Sequence, residues 1–183
     1  MKSQNIWHVI AREFKKDRIP CAVIGGFAVN LYRPARHTAD IDFLVLEKDY
    51  PQIRERLIPY GYKQGPVTKI FARLEACGHQ IMDLDFLFVD APTLEKIIKQ
   101  GKKISIAGHF FIAPSLEHLI ALKLHAIKNN PQVRELKDLF DILEMIEANR
   151  LNVKTEKFQK LCLDYGSRDL YDKIQSHFKR KPS

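Results

Sequence analysis

The sequence predicts an α+β fold, an α/β front half over residues 1–113 followed by an all-helical region over residues 114–183. Three observations point there. Short apolar runs rich in β-branched and aromatic residues, such as Ala22-Val23-Ile24 and Ile41–Leu46, have strand length and no helical spacing. Between them stand amphipathic segments bounded by glycine and proline. After Pro114 the strand runs cease and apolar residues recur with helical period, so a soft boundary falls near Ala113.

Taken in order, Ile6, Trp7, Ile10, Ala11 and Phe14 predict an amphipathic helix over residues 3–16, ended by Arg18-Ile19-Pro20. Ala22–Ile24 is too short for anything but a buried strand. Gly25-Gly26 makes a turn, Phe27 to Tyr32 a short helix, and Pro34 stops it. Ile41, Phe43 and Val45 mark the next strand. Asp49 reads as the cap of a helix reaching Leu57, closed by Pro59 and Gly61. Residues 69–74 and 79–89 read as paired strands around a turn at 76–78. Pro92 and Thr93 open a short helix to Lys99, and Ala107-Gly108 joins residues 103–106 to 109–112 as a tight hairpin. Three or four helices remain, over 115–129, 133–148, 154–164 and 167–179, broken at Asn129-Asn130-Pro131, at 149–152 and at Gly166.

Composition narrows the class. A chain of 183 residues supports one core, or one domain with a helical appendage. Its 45% hydrophobic and 28% charged residues are those of a globular protein. No apolar run reaches the ~18 residues of a membrane span, and the N-terminus lacks the apolar stretch of a signal peptide. Cys21, Cys77 and Cys162 are odd in number and far apart, which predicts reduced thiols in the cytoplasm rather than a disulfide framework. No repeat, GxSxG, Walker A loop or Cys/His pair is present. The net charge of +8 favours anionic partners, although the charge is scattered. Its densest cluster, His177, Lys179, Arg180 and Lys181, reads as a frayed, solvated tail.

The chemistry concentrates between Cys21 and Leu46. Asp40 and Asp42 stand two apart in an apolar strand and so point to one face. Carboxylates side by side repel, and burying them unpaired is costly. A divalent cation resolves the conflict, and magnesium takes carboxylates together with substrate phosphates. Taken alone, an edge strand with both aspartates solvated is the plainer account of the pair. Gly25-Gly26 directly after a buried strand lets backbone approach a ligand, and the N–H groups opening the next helix suit a phosphate. Alone that too is an ordinary turn. The two features together, separated by thirteen residues, carry more than either.

The stretch VIGGFAVNLYRPARHTADIDFLV resembles the signature of the DNA polymerase β-like nucleotidyltransferase superfamily, a glycine turn and short helix followed by alternating apolar and aspartate residues. Arg36, Thr38, Asp40 and Asp42 form an R-x-T-x-D-I-D pattern similar to its minimal bacterial members, the AbiEii-type toxins and the small antibiotic nucleotidyltransferases. The resemblance implies a mixed β-sheet carrying the site, with helices packed on it and the C-terminal helical region closing over the nucleotide. It implies that Asp40, Asp42 and a third carboxylate hold Mg2+, and that Gly25, Gly26, Arg36 and Thr38 contact the NTP. The implied reaction is attack by an acceptor hydroxyl on the α-phosphate, with pyrophosphate leaving. The acceptor classes it admits are a tRNA or other RNA and a small hydroxylated molecule. An antitoxin partner goes with the toxin branch, and a nucleotide-binding module without catalysis is a third reading that the intact carboxylates disfavour.

The third carboxylate is Asp83 or Asp85, which share a face in Q-I-M-D-L-D-F-L-F-V. Asp85, followed by an unbroken apolar run, fits the family pattern better. In the helical region Lys123 falls on the apolar stripe of Leu116, Leu119, Ile120 and Ile127, so it needs a phosphate or carboxylate partner unless it snorkels outward. The segments PSLEHLIALKLHAIK and RELKDLFDIL resemble the AbiEii helical region, which implies that Lys123, Lys137, Asp138 and Asp141 lie near the nucleotide and that Lys123 reaches its phosphates. Leu136, Leu139, Phe140 and Leu143 read as the core face of the second helix, with Asp138 and Asp141 on its flanks. An Arg134–Asp138 surface pair is the plainer account of Asp138. His37 reads as a loop histidine, and His118 and His125 as residues of one solvated helix face.

Overall fold

The computed structural model of the protein describes residues 5–35, 37–78 and 81–180. It opens with α1 (Ile6–Lys16), whose first turn is capped by Asn5 Oδ1 accepting from the Trp7 N–H at 3.0 Å. Then follow β1 (Ala22–Ile24), α2 (Gly25–Val29), β2 (Asp40–Val45) and α3 (Tyr50–Leu57). Strands β3 (Tyr62–Val67), β4 (Phe71–Ala76) and β5 (Asp83–Phe88) lead to α4 (Ala91–Gln100) and the hairpin β6 (Lys102–Ile106) and β7 (His109–Ala113). The rest is helical: α5 (Leu116–Asn129), α6 (Pro131–Ala148), α7 (Glu156–Tyr165) and α8 (Arg168–Arg180). Two compact units result, Met1–Ala28 with Arg36–Ser115, and Val29–Ala35 with Leu116–Ser183. Among the described residues no helix is long and apolar enough to cross a membrane.

The first unit is built on a five-stranded mixed sheet in the order β1-β2-β5-β4-β3. Only the β2–β5 pair is parallel; β1–β2, β5–β4 and β4–β3 are antiparallel. Strand β2 lies inside the sheet, so Ile41, Phe43, Leu44 and Val45 are all buried, and only Asp40 and Asp42 depart from an apolar run. Phe43 and Phe86 are register partners whose rings stack at 5.9 Å. Trp7 of α1 packs edge-on against Phe27 and Phe111, at 4.8 and 5.1 Å. The β6–β7 hairpin turns through Ala107 and Gly108, both with positive φ, the geometry of a tight two-residue turn.

In the second unit α5 packs against α6 and α7, and α7 against α8. Leu119, Ile120, Leu124 and Ile127 of α5, Ile142, Met145 and Ile146 of α6, and Phe158 and Cys162 of α7 are buried. The short segment Val29–Ala35 belongs here, held in part by Asn149 Nδ2 donating to the Tyr32 carbonyl at 2.6 Å.

Several sequence expectations are corrected. Helix α6 is turned about its axis: Asp138, Asp141, Ile142, Met145 and Ile146 are buried, whereas Leu136 is 90% and Phe140 54% exposed. Cations facing the two aspartates make their burial feasible, and the apolar pattern alone could not show that. The short helix begins at Gly25 and ends at Val29 rather than running from Phe27 to Tyr32. Asp49 makes no side-chain cap bond, because residues 47–49 form a 3-10 turn that continues into α3. Strand β3 is not expected from YKQGPV; it is an exposed edge with a register shift between Gln64 and Val67, where Gly65 and Pro66 are tolerated. Helix α8 continues to Arg180, so His177, Lys179 and Arg180 are helical rather than frayed, and Lys181 lies outside the described residues.

Candidate active site

Parallel pairing of β2 with β5 sets the site. The register places Asp40 opposite Asp83 and Asp42 opposite Asp85. Carboxylate oxygens of Asp40, Asp42 and Asp85 all lie within 4.8 Å of one another, the group of potential ligands that the described residues bring together. Asp85 is buried and the other two are half-buried. Three carboxylates this close repel, so a cation must balance them. One is already present: Arg73, opposite Asp85 on β4, donates Nε to Oδ1 and Nη2 to Oδ2, both at 2.6 Å. That bidentate hydrogen bond, more than the charge of Asp85, Asp83 and Asp40, holds the guanidinium pKa above its ordinary value against the effect of desolvation.

The glycines owe their place to contact with these side chains. Gly25 has φ +59, and a Cβ there would stand 1.8 Å from Asp42 Oδ2. A Cβ on Gly26 would stand 2.5 Å from Thr38 Oγ1. Only backbone without a side chain lets the start of α2 lie against the end of this cluster. Thr38 in turn donates toward Asp40, its Oγ1 3.2 Å from Oδ1 and 3.3 Å from the carbonyl.

Asp83 shares the face but not the cluster. Its Oδ1 accepts the Ala76 N–H at 2.8 Å, which ties the start of β5 to the end of β4. It also lines, with His37, Thr38 and Lys63, an open pocket of about 870 Å3 beside the site. Arg36 lies outside the described residues. His118 and His125 are not among the clustered ligands, and His125 is exposed on α5.

In the second unit Lys123 ends between two carboxylates, 2.6 Å from Asp138 Oδ1 and 2.8 Å from Asp141 Oδ2. Arg33 completes the group, its Nη1 2.6 Å from Asp141 Oδ1 and its guanidinium carbon 5.2 Å from the Phe140 ring centroid. The inward lysine therefore has carboxylate partners, and Asp138 pairs with Lys123 rather than Arg134. Lys137 is exposed on α6.

Sequence reasoning missed Arg73 and Arg33. Arg73 carries one signal, its alternation with buried Ala72 and Leu74 on β4, but which aspartate it meets depends on register. Arg33 sits in a proline-bounded loop and carries none.

A divalent ion fits this donor set. Three carboxylates offer hard oxygen ligands, with no nitrogen or sulfur among them.

Comparison with solved structures supports the fold. The antibiotic-resistance factor ANT(2'')-Ia matches with TM-score 0.62 at 19% identity, covering 96% of each chain. The lincosamide antibiotic adenylyltransferase LnuA matches with TM-score 0.54 at 14% identity, over 78% of this chain and 95% of that one. A nucleotidyltransferase-like protein from Paracoccidioides brasiliensis matches with TM-score 0.55 at 16% identity, over 93% and 90%. No curated protein sequence matches. The family model described as "Uncharacterised nucleotidyltransferase" spans residues 2–177, and the chain belongs to that family.

Proposed function

We propose that the protein transfers a nucleoside monophosphate from an NTP to an acceptor hydroxyl, with Asp40, Asp42 and Asp85 holding Mg2+. The observation that carries this is the convergence of those carboxylates within 4.8 Å on adjacent parallel strands. When bound, the ion neutralises charge on the phosphates and the attacking oxygen. The chain's own residues position the groups. Gly25 and Gly26 bring the first N–H groups of α2 beside Asp42 and Thr38, an arrangement suited to the triphosphate. Thr38 steadies Asp40. The acceptor oxygen bonds to the α-phosphorus as the bond to pyrophosphate breaks, and the hydroxyl proton passes to a carboxylate of the cluster. Arg36 is assigned to the nucleotide on resemblance alone. Lys123 is likewise assigned to the phosphates on resemblance alone; its amine is balanced by Asp138 and Asp141.

For the acceptor we propose RNA, on the net charge of +8, with the AbiEii-like toxin branch and its antitoxin resting on the sequence resemblance. The free cysteines fit a reducing cytoplasm. A second reading, a small hydroxylated molecule, is favoured by the likeness to ANT(2'')-Ia, a protein solved with adenylyl-2''-tobramycin.

The test is transfer of α-labelled NTPs in Mg2+ to total RNA and, separately, to aminoglycosides and lincosamides. Wild type should label one acceptor class; Asp42→Ala and Asp85→Ala should label none; Asp83→Ala should retain transfer. A folded wild type that labels nothing, or an Asp42→Ala protein of unchanged turnover, would end the reading. The labelled acceptor assigns the class, and transfer to RNA should fall steeply with rising salt, because strand binding releases counterions.

A further inference from the structure

We infer that a second face of the first unit binds single-stranded nucleic acid, with phosphates on its basic side chains and a base on Phe110. The face comprises one side of α1, the turn after it and the β6–β7 hairpin. A groove of about 900 Å3 runs between them. His8, Arg12, Lys15, Arg18, Lys103 and His109 line it, and among its described lining residues no carboxylate appears. The acidic residues nearby are already paired. Glu13 accepts from Arg12 at 2.9 Å and from the Tyr60 hydroxyl at 3.1 Å. Asp17 is gripped by Arg56 at 2.6 and 3.0 Å. Glu13 engages Arg12, whereas Lys15, Arg18 and Lys103 face the groove without a carboxylate among its described lining residues and offer their charge to an anionic ligand.

Its floor is apolar, formed by buried Phe14, Ile19 and Phe111. Strand alternation sends Phe111 into the core and Phe110 outward, leaving Phe110 67% exposed on the groove. Lys103 Nζ sits 4.0 Å from its ring centroid. A flat aromatic face beside cations is what a single strand uses, stacking a base and neutralising its phosphates. An acidic peptide would use the cations and leave the ring idle. A lone phosphate would need neither the ring nor charges spread along a groove.

Two details fit. Arg18 has φ 55, at the end of α1, where glycine or asparagine is favoured; the residue that stands there instead carries a cation to the groove. His8 Nδ1 and His109 Nε2 lie 3.0 Å apart, so one ring donates to the other. The accepting ring then carries its proton on its other nitrogen, outside that bond, where it can donate to a phosphate oxygen.

None of these side chains belongs to the carboxylate cluster. A strand binds here whether or not it is the acceptor, so the inference does not rest on the transfer reading.

The experiment is fluorescence anisotropy of the full chain with a short labelled single-stranded RNA, across about 50–200 mM salt. Wild type should bind saturably, with affinity falling steeply as salt rises. Lys15→Glu/Arg18→Glu/Lys103→Glu should bind at least tenfold more weakly, and its log–log salt slope should fall by about 2, because three phosphates are no longer neutralised. Phe110→Ala should bind about fivefold more weakly with an unchanged slope. Asp42→Ala should bind as wild type does, which separates failure of binding from failure of catalysis. Thermal melting of each variant confirms that it is folded. The inference is overturned if wild type does not bind, if the charge-reversed and Phe110→Ala proteins bind as wild type, or if polyglutamate competes as well as RNA.

Discussion

Arg73 holds both oxygens of Asp85, with Nε and Nη2 each 2.6 Å from the carboxylate. Asp85 is at once the buried member of the acidic cluster and the partner of the arginine placed across from it on β4. This guanidinium is a counter-charge of the protein's own to Asp85, close enough to Asp83 and Asp40 to interact with their charges.

Removing Arg73 should expose that dependence. Arg73→Ala should destabilise the protein by about 1–3 kcal/mol, since a charged hydrogen bond is lost beside two like charges, discounted for the partial exposure of Arg73. Millimolar Mg2+ should then raise the melting temperature of Arg73→Ala more than that of wild type, because the ion takes over the missing charge. Equal Mg2+ shifts in the two proteins would show that Arg73 and the ion do not act on the same carboxylates.

Gly25→Ala should damage the site more than the fold. The new Cβ meets Asp42 Oδ2 at 1.8 Å, and φ +59 costs an L-residue roughly 1–2 kcal/mol. Calorimetry should show a loss of that order, while nucleotidyl transfer should fall at least about 100-fold because Asp42 must move. Transfer that falls no further than the stability loss explains would place the carboxylate elsewhere during reaction.

The Lys123 group should behave as a coupled buried network. Lys123, Asp138 and Asp141 have side chains only 11%, 5% and 2% exposed. Lys123→Met leaves buried carboxylates short of a cation and should cost about 3–5 kcal/mol. Lys123→Met/Asp138→Asn should cost less than the sum of its single substitutions, as denaturant unfolding of the four proteins would measure.

The acid limb of stability should carry the Asp17–Arg56 pair. The hydrogen bond from Arg56, the larger influence, holds the Asp17 carboxyl below its ordinary value against a smaller effect of desolvation. A carboxyl with a depressed folded-state pKa stabilises the protein above the ordinary value of 3.8, and that contribution is lost as pH falls through the folded value. Wild type should melt above Asp17→Asn at neutral pH, and the gap should close only below pH 3.8. A gap that stays constant down to acid denaturation would show that the pair contributes nothing through ionisation.

Much of the site was legible because its rules are local. Two aspartates two apart in an apolar strand share a face whatever the strand packs against. The glycine turn was visible as a sequence break. Choosing between Asp83 and Asp85 was not a local question, since both point the same way. The choice turns on neighbours: Arg73 faces Asp85, while the Ala76 N–H draws Asp83 toward the end of β4. The α6 face was misread for the same reason. Leu136 and Phe140 have the right period for a core stripe, but burial followed Asp138 and Asp141 because Lys123 and Arg33 face them. Strand β3 escaped notice because its residues carry no strand preference; pairing with β4 recruits them.

By itself the sequence determined most of the helical and extended segments, β3 and the bounds of α2 apart, and which carboxylates share a strand face. Those properties follow from periodicities of about two and 3.6 residues and from the backbone limits of glycine and proline. Tertiary structure decided the register that sets Asp42 beside Asp85, the arginine that pairs with Asp85, and the face that α6 turns inward. Each depends on pairing between residues far apart in the chain, where the free energy of a buried charge is set by the partner it meets.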